Sequence, residues 1–225
     1  NYDNYQINAG FYWDKTYSYY LFKNTILNNK MVVLFTILDS DTFKIKSGYP
    51  KLLNNTTWNG LSFTNQIDSA FYYKDDIVIF TKNGYYTKYN LKLKKQLPNY
   101  PKKIINNFTN IQSYFHNKIT SSVNIGNNVV LIFNKSSFVE FDLNLIENKY
   151  INSKIANSIH FDINQKYPEL KMYNWDAVIS NNINLMIFFK NNKYYIYDYH
   201  LNKLMLTGSI NRQWSNIWNI NVNNL

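Results

Sequence analysis

The sequence has no cysteine, one arginine, three histidines, six glycines and four prolines among its 225 residues. Each shortage removes chemistry. Without cysteine there is no disulfide framework, no thiolate nucleophile and no cysteine-based zinc or iron–sulfur site. No glycine-rich phosphate loop, no Gly-x-Ser-x-Gly turn and no His-Glu-x-x-His motif occurs. Long apolar runs are missing too. Met31-Val32-Val33-Leu34-Phe35 and Val129-Val130-Leu131-Ile132-Phe133 stop at five residues, against about 20 for a membrane-spanning helix. With Arg212 the sole arginine among 24 basic residues, bidentate contacts to guanine or phosphate are scarce, so no specific nucleic-acid partner is expected.

What is present is apolar and aromatic: 45% hydrophobic and 18% aromatic residues, enough for a well-buried core. Asparagine (39), isoleucine (25), lysine (23), tyrosine (21) and phenylalanine (15) make up most of the chain. Their A/T-rich codons associate it with an A/T-rich source such as an insect virus or insect-associated microbe. A chain beginning at Asn1 reads as a processed form or part of something longer. A secreted, virion- or inclusion-associated location is preferred over a cytoplasmic one. The formal charge is +10, and the lysines are densest at Lys88, Lys92, Lys94, Lys95, Lys102 and Lys103. That cluster reads either as a solvated face or as a patch for an anionic partner.

Repeats decide the architecture. Ile7-Asn8-Ala9-Gly10-Phe11, Ile67-Asp68-Ser69-Ala70-Phe71, Ile119-Thr120-Ser121-Ser122-Val123 and Trp175-Asp176-Ala177-Val178-Ile179 share one pattern. A large apolar residue precedes a polar one, then come two small or medium residues and another apolar one. Small side chains suit strands converging on a crowded axis. Each segment is followed by an apolar strand and an aromatic alternating strand. In the second repeat these are Ile77–Phe80 and Tyr85–Asn90 about an Asn83-Gly84 turn, a strong hairpin signal. The first repeat is least regular, with Tyr19–Phe22 and Met31–Phe35 separated by a longer Asn-rich connection. Tails match only in the first two repeats, as Tyr49-Pro50-Lys51 before Trp58 and Tyr100-Pro101-Lys102 before Phe108. They predict an outer strand or a short helix.

These repeats resemble the hemopexin repeat, most strongly over residues 67–103. The resemblance implies an all-β, four-bladed β-propeller with four antiparallel strands per blade, covering 1–225 with blades near 1–62, 63–113, 114–170 and 171–225. It further implies a central tunnel holding calcium or sodium on backbone carbonyls, with an anion deeper in. By position the carbonyls would come from Asn8, Asp68, Thr120 and Asp176, with Gly10, Ala70, Ser122 and Val178 lining the next layer; the alternative is a merely packed axis. Animal members close the ring with a disulfide, which is impossible here. The chain is closer to the cysteine-poor hemopexin-like proteins of legume seeds, the albumin-2 group, and to microbial members. Closure must rest on packing of blade one against blade four and on the terminal strands.

Catalytic candidates are few. Asp39 with Asp41 and Asp75 with Asp76 read as turn residues, so no enzyme is expected. His116, His160 and His200 lie about 40 residues apart with no ligand motif around them, and haem is not expected. The sequons at Asn54, Asn55, Asn107 and Asn134 are no more than this composition yields by chance. The reading is a non-catalytic binding module presenting propeller surfaces to a protein, glycan or small ligand. Alternatives are a self-associating structural or storage protein and a carrier of haem or a polyamine.

Overall fold

The computed structural model describes residues 5–150, 159–160, 162–171 and 174–220. The expected blade ranges therefore include residues (1–4, 151–158, 161, 172–173 and 221–225) outside the described ones. Runs rich in β-branched and aromatic residues form four antiparallel sheets, each built from strands adjacent in sequence. The first contains β1 (Ala9–Trp13), β2 (Ser18–Leu27), β3 (Lys30–Asp39) and β4 (Lys51–Leu52). The second contains β5 (Ser69–Lys74), β6 (Ile77–Lys82), β7 (Tyr85–Asn90), β8 (Lys95–Gln96) and β9 (Lys102–Lys103). The third contains β10 (Ser121–Gly126), β11 (Val129–Asn134), β12 (Ser137–Asp142) and β13 (Ile159–His160). The fourth contains β14 (Ala177–Ser180), β15 (Leu185–Lys190), β16 (Lys193–Asp198) and β17 (Lys203–Ser209). Innermost strand β1 packs against β5 and β14, and β10 packs against the same two, so the sheets close into a four-bladed propeller.

Asparagine has a structural use here. Asn83-Gly84, Asn28-Asn29 and Asn127-Asn128 each hold two consecutive residues at positive φ. That is the type I′ hairpin geometry, which asparagine and glycine tolerate best. The first repeat departs from expectation. Its Asn-rich connection is only Asn28-Asn29, because Lys23–Leu27 extends β2 and pairs with Lys30–Leu34. β-branched Thr25 and Ile26 favour this extension, which leaves Ile26 63% exposed on a projecting hairpin.

The outer strands of the first two blades are broken at proline. β4 follows Pro50, and β8 and β9 meet opposite ends of β7 with Pro101 between them. Proline has no N–H to give to the ladder. β17 contains no proline and runs for seven residues, with one register shift opposite Ile196 and Tyr197.

Both expected tail elements are present, and they recur in all four blades. In each, an aromatic N–H closes one turn onto the residue four before it: Trp58 on Asn54, Phe108 on Ile104, Tyr167 on Ile163 and Trp214 on Ile210. A further turn returns the amide of Leu61, Ile111, Leu170 or Ile217 to the aromatic carbonyl. Three of these turns are short helices: α1 (Ile104–Asn107), α2 (Ile163–Lys166) and α3 (Ile210–Gln213). The aromatic residue is a peg driven between neighbouring blades. Trp58 lies within 4.8–6.2 Å, centroid to centroid, of Tyr20, Phe22, Phe35, Phe80 and Tyr89.

The buried side chains form four clusters, one per blade junction. The junction of blades four and one joins Ile187 and Phe189 to Leu21 and Leu34. Ile210, Trp214, Ile217 and Trp218 of the C-terminal segment complete it. Trp214 Nε1 donates to the Phe43 carbonyl oxygen at 2.6 Å. Closure thus uses the inter-blade packing expected, but the C-terminal contribution is a helical turn and two tryptophans, while β17 stays on the outer edge of blade four.

Candidate functional site at the axial mouth

Each innermost strand is preceded by the polar residue of its repeat, and all four of these residues do the same local job. The main-chain N–H groups of Asn8, Asp68, Thr120 and Asp176 donate to the carbonyl oxygens of Phe22, Thr81, Phe133 and Phe189 at 2.8–3.0 Å. Their side chains then accept from main-chain amides of the adjoining hairpin: Asn24, Asn83, Lys135 and Asn191. A short side chain with an oxygen acceptor is needed at each position. That accounts for Asn, Asp or Thr following the large apolar residue of the repeat.

The fourfold arrangement brings Asn8, Asp68, Thr120 and Asp176 around one cavity of about 260 Å³ at the end of the ring axis. Gln6, Asn24, Gln66, Lys118, Asn174 and Lys190 complete its polar wall. The two carboxylates are already engaged. Asp68 Oδ1 accepts from Gln66 Nε2 at 2.8 Å, and Asp176 Oδ1 lies 3.2 Å from Lys190 Nζ. Among the described residues no group of three or more His, Asp or Glu side chains is arranged to hold a metal. A cation at this mouth would therefore draw on main-chain and amide oxygens, the hard donors that suit calcium or sodium.

One layer further in, Gly10, Ala70, Ser122 and Val178 are all buried. A Cβ on Gly10 would sit 2.7 Å from Ile179 Cγ2 and 2.9 Å from the Tyr20 carbonyl oxygen, so blades one and four meet here as closely as glycine permits. Ser122 Oγ donates to the Ala70 carbonyl oxygen at 3.4 Å, and Asn124 Nδ2 to that of Tyr72 at 2.8 Å. The space beyond, between Gly10, Phe71, Val123 and Ile179, is about 10 Å³. It offers room for one water at most.

The lysine cluster divides in two. Lys88 and Lys102 hold opposite oxygens of Glu147 at 2.6 and 2.8 Å. The hydroxyls of Tyr86 and Tyr100 donate to the same carboxylate at 2.6 and 2.7 Å. Burial alone would push the Glu147 carboxyl up, but the hydrogen bonds from Lys102, Lys88, Tyr86 and Tyr100 outweigh it and hold it at about 2. These two lysines form an internal strut between blades two and three. Lys92, Lys94, Lys95 and Lys103 are exposed. Sequence reasoning missed Glu147 because its partners lie 45 to 61 positions away and no local pattern marks it.

The acid pairs behave as turn residues. Asp39 Oδ1 accepts from the amides of Asp41 and Thr42 and from the Thr42 hydroxyl, which together draw its carboxyl below the usual range. Asp75 and Asp76 form a positive-φ turn, with Asp76 tied to Lys15 and the Trp13 indole. The histidines are dispersed: His116 Nε2 contacts the Ile111 carbonyl oxygen, His160 stacks on Phe138, and His200 borders Tyr199.

No protein-family model and no curated protein sequence matches the chain. Solved structures do. The hemopexin fold protein CP4 from cow pea is similar at a TM-score of 0.71 and 15% identity, over 96% of this chain and 99% of that one. A plant albumin from Cicer arietinum showing hemagglutination is similar at a TM-score of 0.73 and 18% identity, over 95% and 97%. A plant lectin with two metal-binding sites, also from Cicer arietinum, is similar at a TM-score of 0.68 and 17% identity, over 96% and 99%. Four antiparallel blades in a closed ring, matched along nearly their whole length by these structures, give the chain the four-bladed hemopexin fold.

Proposed function

We propose that the protein is a non-catalytic binding module: one propeller that keeps a calcium or sodium ion at its axial mouth and presents its end faces to a protein, glycan or small ligand. The observation that carries this reading is the convergence of Asn8, Asp68, Thr120 and Asp176 on one polar cavity. Their acidic members are committed to main-chain amides, leaving no free acid–base pair among the described residues of the cavity wall. Similarity to a hemagglutinating albumin and to a metal-binding lectin supports the same reading. Calorimetric titration of chelator-treated protein with calcium, then sodium, tests it. Saturable one-site binding that raises the unfolding temperature is expected. Absence of heat and of any thermal shift with either ion would contradict the axial site.

Self-association is the second reading, and β17 favours it. This seven-residue outer strand exposes Met205 and Leu206, each 51% accessible, beside a ladder edge with no further strand among the described residues. A dispersed monomer at high concentration would count against it.

A further inference from the structure

A second cavity lies at the opposite end of blades one and two from the axial mouth. Its volume is about 390 Å³, within the range of small-molecule sites. Its walls include Trp13, Tyr20, Tyr49, Trp58 and Tyr89 beside apolar Phe35, Ile37 and Leu91, with the exposed Lys92 and Lys94 also lining it. Trp58 and Tyr89 are buried, Trp13, Tyr20 and Tyr49 half-buried, and the lysines exposed. The rings cross steeply. Interplanar angles are 87° for Tyr20–Trp58, 54° for Trp13–Tyr20 and 51° for Trp58–Tyr89. Among the described residues, none of these three contacting wall pairs is parallel. Trp58 and Tyr89 are enclosed by their neighbours, so the half-buried Trp13, Tyr20 and Tyr49 are the rings that offer negative π faces to a puckered ring with C–H bonds on both sides.

Charge narrows the ligand further. Among the described residues no carboxylate lines the cavity. The nearby Asp76 is already held by Lys15 at 2.7 Å and by the Trp13 indole at 3.1 Å. Neither Lys92 nor Lys94 is ion-paired within the described residues. The opening is thus positive while the floor is aromatic.

We propose that this cavity binds an acidic saccharide, a pyranose residue bearing a carboxylate or sulfate, with its C–H faces on the Tyr and Trp rings and its anion at Lys92 and Lys94. The proposal rests on the binding-module reading and assigns it a ligand class and a place. Tyrosine hydroxyls supply polar partners for sugar hydroxyls; Thr57 also lines the cavity, but its hydroxyl is engaged by the Asn54 amide and the Leu52 carbonyl oxygen.

Tryptophan fluorescence titration of the full chain tests it, using digalacturonate, galactose 6-sulfate, neutral galactobiose and 4-hydroxybenzoate. Saturable binding of at least one acidic sugar is expected, about tenfold tighter than galactobiose and weakening with salt. Comparison of the first two probes separates carboxylate from sulfate recognition. The exposed double substitution Lys92→Glu with Lys94→Glu is expected to weaken acidic-sugar binding about tenfold and leave galactobiose unchanged. Lys193→Glu with Lys203→Glu, on blade four, is expected to change neither. Absence of saturable binding, equal loss in both double variants, or tighter binding of 4-hydroxybenzoate would each overturn the proposal. Calcium binding at the axial mouth is measured separately, so failure here leaves the module reading standing, and failure there leaves this site testable.

Discussion

Glu147 joins two blades through a single carboxylate. Its carboxyl titrates at about 2 in the folded chain against 4.5 as the ordinary value. The folded state therefore gains stability that is complete above about pH 4.5 and is lost as pH falls toward 2. Glu147→Gln is expected to lower unfolding stability at pH 7 by about 2–3 kcal/mol, and the deficit relative to the parent should close by pH 2. Denaturant midpoints across that range check it; a deficit that is independent of pH would mean the carboxylate charge is not what matters. Gly10 makes the opposite kind of contribution, by having nothing to offer. Gly10→Ala forces a methyl against Ile179 and a backbone oxygen, and is expected to cost about 2–3 kcal/mol, read as a lower denaturant midpoint. The small residue at the axis was legible in the sequence because it recurs in each repeat. Glu147 was not, since nothing in its neighbourhood announces partners on another blade.

At the scale of elements, the hairpins were legible and the pegs only half so. Asn83-Gly84 between alternating runs specifies its turn locally. The aromatic pegs follow a looser rule, an apolar or polar residue, an aromatic four later and an apolar one three beyond that. Tyr167 and Trp214 obey it as Trp58 and Phe108 do, but without the Tyr-Pro-Lys signal their repeats look degenerate. The peg fills a space made by two blades, so its identity is set by tertiary packing and varies among Trp, Phe and Tyr. Trp58→Ala and Trp214→Ala are each expected to destabilise by about 3–5 kcal/mol. Chemical denaturation checks both, and a loss below about 1 kcal/mol in either would show that the peg is dispensable.

For the whole molecule, four equivalent junctions replace the covalent closure that a cysteine-free chain cannot make. Each junction buries its own cluster, and the fourth combines N-terminal Ile7 with C-terminal Trp214 and Trp218. The four-part architecture could be read from the recurring pattern, because the residues at a crowded common axis are small or medium in every unit, from Gly10 to Val178. The acidic-sugar cavity could not, because Trp13, Tyr49, Trp58 and Tyr89 come together only when blades one and two dock. The four repeats also share the axial mouth, which one polar residue from each blade lines. Native mass spectrometry of the intact protein in calcium, and again after chelation, tests that convergence most directly. A monomer that retains one calcium and releases it to chelator is the expected result. Bare chain in both conditions, or large assemblies of bare chain, would contradict an ion-holding binding module and favour the self-associating role.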